Sequence, residues 1–153
     1  MDTATFFERK TGMEIKIDVR FPDCDPMGIV HHAVYPVWYE VARMEIFKTV
    51  GFPWTDMNEF GIDPAMVDLH IQYLAPLYYP AEVTVKAQFL LCEGKKLKLH
   101  YETWLGDNCV NKAESFHVWT KKGPEGAKNL KSIHLGEYLP AVYAAIRAQC
   151  PAE

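Results

Sequence analysis

The chain has little that ties it to an oxidising compartment, a membrane or a polyanion. Its four cysteines, Cys24, Cys92, Cys109 and Cys150, show no Cys-x-x-Cys spacing, so neither a zinc ribbon nor a redox dithiol is spelled out. No apolar run approaches the roughly 18 residues that span a bilayer, which argues against membrane insertion. The opening Met1-Asp-Thr-Ala-Thr5 lacks the basic and then apolar profile of a signal peptide. A reducing, cytoplasmic setting is the expectation. An excess of positive charge is also missing: the formal net charge is −4, which argues against general nucleic-acid binding. Neither an internal repeat nor a linker divides the chain. Its 153 residues are expected to form one domain over 1–153, long enough for a sizeable core and too short for two ordinary ones.

What is present is period-2 alternation. Ile15, Ile17, Val19 and Phe21 alternate with Glu14, Lys16, Asp18 and Arg20, which predicts a half-buried strand. The same pattern returns at Val67, Leu69, Ile71 and Tyr73, at Val83 to Leu91, and at Leu97, Leu99, Tyr101 and Leu105. Turns at Glu93-Gly94 and Gly106-Asp107-Asn108 join the last two runs to a further strand over 110–120, an antiparallel meander. The stretch 122–129 reads as a loop, followed by a short strand at 130–134.

Two helices are predicted beside this sheet. The first covers 34–50, with Pro36 in its first turn and Gly51 and Pro53 closing it. Its apolar residues, among them Val34, Val37, Trp38, Val41, Met44 and Phe47, occupy most angular sectors, as in a helix surrounded by other structure. A sheet with one apolar face must curl to cover such a helix, which predicts an α+β domain with a central helix in a curved antiparallel sheet. The second helix, near 137–149, packs on the surface through Tyr138, Leu139, Val142, Tyr143 and Ile146.

Chemistry concentrates just before the first helix, in Phe21-Pro-Asp-Cys-Asp-Pro-Met-Gly-Ile-Val30 followed by His31 and His32. Pro26 fixes its own φ and holds Asp25 extended, and Gly28 can take positive φ. Such a turn aims Asp25 at the unpaired amides of the next helix. A carboxylate facing free N–H groups suits hydrolysis: the amides hold a carbonyl oxygen while the carboxylate attacks it or activates water. Asp23 is expected to bind backbone amides rather than substrate. Adjacent histidines point different ways and no third ligand has useful spacing, so no metal or other cofactor is expected. Cys24 reads as a small buried residue, and Glu40 as the i,i+3 partner of Arg43.

The Asp23-Cys-Asp-Pro-x-Gly-Ile-Val30 segment, the Tyr35-Pro-Val-Trp-Tyr-Glu-Val-Ala-Arg43 helix, the Gly51-Phe-Pro-Trp54 exit and the Gly61-Ile-x-Pro stretch leading to Tyr73-x-x-Pro76 together resemble the hotdog-fold thioesterases. Within these, they are similar to the 4-hydroxybenzoyl-CoA thioesterase family and its acyl-CoA thioesterase relatives, over about residues 14–120. The resemblance implies a hotdog fold of five to six strands around a long helix, and homodimers or homotetramers with active sites at the dimer interface. It implies hydrolysis of an acyl-CoA with Asp25 as the catalytic carboxylate and His32 at the helix N-terminus polarising the thioester carbonyl, by backbone or side chain. Gly28 and Tyr35 are implied to line the substrate site, and Lys95 and Lys96 to meet the coenzyme A phosphates, with a solvated hairpin as the alternative for the lysines. Phe21 stands where the acyl-CoA branch carries a tyrosine. A non-catalytic hotdog that binds an acyl-CoA or a protein is the alternative function. A hotdog dehydratase would show a catalytic His followed by a Tyr-Pro-Phe stretch, which this chain lacks.

Overall fold

A computed structural model of the chain describes residues 12–124 and 126–151. The alternating runs form one antiparallel sheet. Its strands are β1 (Met13–Asp18), β2 (Ile62–Tyr73), β3 (Glu82–Glu93), β4 (Lys96–Leu105) and β5 (Asn108–Gly123), in the spatial order β1-β3-β4-β5-β2; β6 (Gly126–Ser132) pairs with the last residues of β5. Register pairs Ile15 with Val85, Phe89 with Leu99, Tyr101 with Ala113 and Ile71 with Ala113. These pairs set the apolar parity of β1 to β5 on the same face.

That face curls around α1 (Val34–Lys48). Ile46 and Phe47 are fully buried, as are Phe89, Leu99 and Trp119 on the strands, and each such side chain contributes about 1.5–3 kcal/mol on leaving water. The Phe47 ring meets Phe89 edge-on at 5.3 Å and Trp119 at 5.9 Å, and Tyr39 stacks on Tyr101 at 4.9 Å. A central helix inside a curved antiparallel sheet is the arrangement that the periodicities predict and the hotdog architecture that the resemblance implies.

Several elements differ from expectation, each for a local reason. β1 ends at Asp18, and Phe21 is 75% exposed in a 3-10 turn over Phe21–Asp23; Pro22 cannot donate to a ladder, so the alternation outlasts the strand. A helix absent from the prediction, α2 (Trp54–Phe60), starts after Pro53 and stops at Gly61 with φ +66°. Seven residues are too few for a readable apolar period. Over the predicted loop at 122–129, β5 runs to Gly123 and β6 starts at Gly126. The C-terminal helix is split at Leu139 into α3 (Leu135–Tyr138) and α4 (Pro140–Gln149), because Pro140 has no N–H to continue the first segment.

β2 departs most from its reading. It is an edge strand whose supposed core face is only partly covered: Ile71 packs against the core, whereas Val67, beside a register shift between Met66 and Asp68, is 64% exposed and Tyr73 52%. On α1, Val37 and Val41, one turn apart, are also exposed at 55% and 45%. Among the described residues, no helix is long and apolar enough to cross a membrane.

Candidate active site

The segment before α1 is a closed loop. Asp25 N–H donates to the Ile29 carbonyl at 2.8 Å, and Gly28 N–H donates to the Asp25 carbonyl at 2.9 Å. Gly28 carries φ +81° with open space where a Cβ would stand, so glycine is needed there for conformation and not for room. Asp25 Oδ1 accepts from Met27 N–H at 2.8 Å. Beneath the loop, Asp23 is 2% exposed; its Oδ2 accepts from Arg20 N–H at 2.8 Å and its Oδ1 from Arg20 Nη2 at 2.8 Å. This ion pair and the bond from His31 N–H to the Asp23 carbonyl, 2.9 Å, tie the loop to the helix entrance. Asp23 thus supports the loop, and Asp25 is left half-buried at its rim.

At the entrance, Ala33 N–H donates to His31 Nδ1 at 3.0 Å and Val34 N–H to the His31 carbonyl at 3.0 Å. The His32 N–H has no acceptor among the described residues. It is a free donor at the positive end of a 15-residue helix, where a developing negative charge is favoured. The His32 side chain is exposed and stacks on His31 with centroids 4.1 Å apart.

Asp25, His32 and Tyr35 line one cleft of about 410 Å³ together with Ile29, Val30, Tyr73 at the end of β2 and the residues that follow it to Pro76. Tyr73 Oη donates to the His32 carbonyl at 2.7 Å, and its ring meets Tyr35 edge-on at 5.5 Å. Burial first, and then the neighbouring Tyr73, push the Tyr35 phenol up to about 12, so it is neutral at ordinary pH. Tyr73 belongs to the Tyr73-x-x-Pro76 stretch that carries the resemblance, but alternation places it on a core face and so gives it no role in the site. The available signal was its place three residues before Pro76, at the end of an edge strand.

The remaining predicted residues lie elsewhere. Gly28 shapes the Asp25 turn and does not line the cleft. Lys95 and Lys96 sit at the β3–β4 hairpin, where Lys95 Nζ donates to Ser132 Oγ at 3.3 Å. The Asp25 loop is joined to the opposite end of β3 through Val30 N–H to the Leu77 carbonyl and Val19 N–H to the Ala81 carbonyl. Roughly 35 Å of strand separates the two ends.

A second polar region lies further along α1. Arg43 Nη1 donates to Tyr101 Oη at 3.3 Å, Tyr101 Oη and Ser115 Oγ are 2.7 Å apart, Ser115 Oγ and His117 Nε2 are 2.7 Å apart, and His117 Nδ1 lies 3.3 Å from the Pro64 carbonyl. One proton arrangement satisfies the whole series: Tyr101 donates to Ser115, Ser115 to Nε2 of a neutral His117, and Nδ1–H to Pro64. Burial first, and then Arg43, lower His117 to about 4. Among the described residues, no three His, Cys, Asp or Glu side chains gather as metal ligands.

Residues 19–125 match the model of the thioesterase-like superfamily. A Bacillus subtilis (strain 168) protein, "Putative acyl-CoA thioesterase YneP", is 33% identical over 118 residues, 76% of this chain and 74% of that protein. The Staphylococcus aureus DHNA-CoA thioesterase structure superposes with a TM-score of 0.80 at 26% identity, over 90% of this chain and 91% of that one. The 4-hydroxybenzoyl-CoA thioesterase of Pseudomonas sp. strain CBS-3 shares the fold, with a TM-score of 0.76 at 23% identity over 89% and 99% of the two chains. A free helix-terminal amide and a carboxylate on one cleft, in a hotdog sheet, thus occur in a chain that belongs to the thioesterase-like superfamily and is a thioester-hydrolysing enzyme.

Proposed function

We propose that the protein hydrolyses an acyl-CoA with an aromatic or short acyl group to the free acid and coenzyme A, and that the Asp25 cleft is where this happens. The observation that carries the reading is the meeting of two groups on one cleft: a carboxylate of which only Oδ1 is engaged among the described residues, and the unpaired His32 N–H. With the thioester carbonyl oxygen on that N–H, charge that develops on addition is stabilised by a fixed donor and the helix dipole. Two routes have the same balance. Asp25 attacks the carbonyl carbon, the C–S bond breaks, the thiolate takes a proton from water, and water then cleaves the acyl–aspartyl anhydride. Alternatively, Asp25 takes a proton from water, hydroxide adds, the C–S bond breaks, and the proton passes to the thiolate. Neither route uses a metal or a further cofactor.

The reading includes a second copy of the chain along β2. An edge strand exposes unpaired backbone groups that invite another strand. Met66, Val67, Tyr73 and Leu74 are exposed beside it, apolar surface that an antiparallel copy would cover. Lys95 and Lys96, distant from their own subunit's Asp25, can serve a nucleotide only from a neighbouring subunit in this arrangement.

The test is release of free thiol from a panel of aromatic and aliphatic acyl-CoAs, with sedimentation at the assay concentration. Thiol release from some acyl-CoA that survives a chelator, by a dimer or tetramer, is expected. Activity lost to the chelator and restored by zinc, or a fully active monomer, contradicts the reading.

A further inference from the structure

A cleft of about 530 Å³ opens between the second half of α1, α2 and the start of β2, and Glu40, Arg43, Trp54, Asp63, Pro64 and Lys122 are among its lining residues. Arg43 is its unusual member. The side chain is only 10% exposed, yet among the described residues its five donors find one 3.3 Å bond to Tyr101 and a loose 3.8 Å approach from Glu40, whose own side chain is 64% exposed. A guanidinium so far removed from water ordinarily has a close, bidentate carboxylate. Here a buried series of hydrogen bonds through Tyr101, Ser115 and His117 to the Pro64 carbonyl holds it from behind. The same side chain borders the cleft.

The direction of the elements decides what this cleft faces. α1 starts beside the end of β2, where Tyr35 meets Tyr73, and its later residues share a cleft with Asp63 and Pro64 at the beginning of β2. Helix and strand therefore run in opposite directions. If β2 pairs with its own copy about a two-fold axis near mid-strand, one subunit's Tyr73 falls beside the partner subunit's Ile62, by the isologous pairing such an axis imposes. The Asp25 cleft of one subunit then opens towards the Arg43 cleft of the other.

We propose that Arg43 binds the far end of the acyl group held in the partner's Asp25 cleft, and that this end carries a carboxylate. The inference rests on the shared-site reading given above. Glu40 already brings a carboxylate towards Arg43 without reaching hydrogen-bond distance, so a ligand carboxylate replaces like with like while Glu40 turns to solvent. Lys122 supplies a second positive charge in the cleft, and Asp63 is approached by the Thr120 hydroxyl at 3.4 Å. Arg43 is in this account a specificity residue; the bond-making groups stay at Asp25 and His32.

The experiment measures binding rather than turnover, on the full chain carrying Asp25→Asn so that thioesters persist. Glutaryl-, adipyl- and suberyl-CoA are compared by calorimetry with pentanoyl-, hexanoyl- and octanoyl-CoA. At one or more lengths the dicarboxylic ligand is expected to bind at least about tenfold more tightly, as a charge-assisted contact allows. Arg43→Gln should erase that preference, Arg43→Lys should keep part of it, and Glu40→Gln should enlarge it by removing the competing carboxylate. Should Arg43→Gln fold poorly, the exposed Glu40→Gln variant carries the test. Equal binding of both series, or a preference indifferent to Arg43 and Glu40, overturns the inference. That result would leave thiol release by the unaltered enzyme untouched, whereas failure of the hydrolysis reading would show as absent thiol release.

Discussion

The two ends of the central helix solve opposite problems with similar residues. Around Arg43, a guanidinium, two hydroxyls and an imidazole are buried and joined donor to acceptor from one end of the series to the other. Around Asp25, a carboxylate oxygen and a backbone amide have no partner among the described residues and lie on an open cleft. Tyr101, Ser115 and His117 satisfy one another within the series and specify how helix and sheet meet, while Arg43 at its head also borders a cleft; breaking the series leaves buried polar groups unpaired, which is costly. The open end keeps its bonding capacity for a reacting molecule. Unpaired groups at the surface of a site, and not polarity as such, distinguish its chemistry from its scaffolding.

The sharpest way to break this comparison is Asp25→Asn, which keeps shape and removes charge. Turnover should fall by roughly 10²-fold or more, the scale of an acid–base or nucleophilic group, while the melting temperature stays close to that of the unaltered protein. Near-normal turnover would move the chemistry elsewhere, with Glu40 the first suspect.

At the buried end the corresponding effect is on stability and has a pH signature. His117, held neutral with its value lowered to about 4 by burial and Arg43, titrates near 6.5 once unfolded. Between these values the unfolded chain binds the extra proton, so stability is full above about 6.5 and is lost as pH falls towards 4, by about 3 kcal/mol from this one group. Chemical denaturation across that window should show the slope, and His117→Gln should flatten it. An unchanged slope in the variant would remove His117 from the account.

Tyr39→Phe sharpens the same point without charge. Its hydroxyl donates to Asn111 Oδ1 at 2.6 Å and lies 2.9 Å from Thr103 Oγ1, all buried, so the loss is about 1–3 kcal/mol of stability by equilibrium unfolding. Tyr73→Phe, at the open end, should be milder. It frees the His32 carbonyl from one exposed hydrogen bond worth about 1 kcal/mol, and the expected outcome is a roughly fivefold loss in kcat/KM with little change in melting temperature. A large loss would make Tyr73 a full member of the site.

The sheet, the central helix and the Asp25 turn were legible because each is written locally: alternation for β3 and β4, the Gly106-Asp107-Asn108 turn for β5, proline and glycine for the Asp25 turn, and Gly51 with Pro53 for the helix exit. What was not legible depends on position in the fold. Alternation says that Val67 and Tyr73 share a face and not that β2 is an edge on which both are left exposed. Val37 and Val41 complete an all-round apolar helix in the sequence, yet the sheet leaves them open. Ser115 and His117 on the inward parity of β5 could have drawn notice as polar residues at core positions; only the fold shows that Tyr101 and Arg43 come to meet them. Lys95 and Lys96 followed a turn correctly read, but the length of β3 separates them from Asp25.

The central claim is that the His32 amide receives the thioester carbonyl beside Asp25. It is tested most directly by the ¹⁵N–¹H spectrum of the Asp25→Asn protein as an intact acyl-CoA from the active panel is added. The His32 amide should shift downfield more than any other backbone signal of the helix, as a free donor does when it gains an acceptor. Saturable binding of the thioester with the His32 signal unmoved would contradict the account.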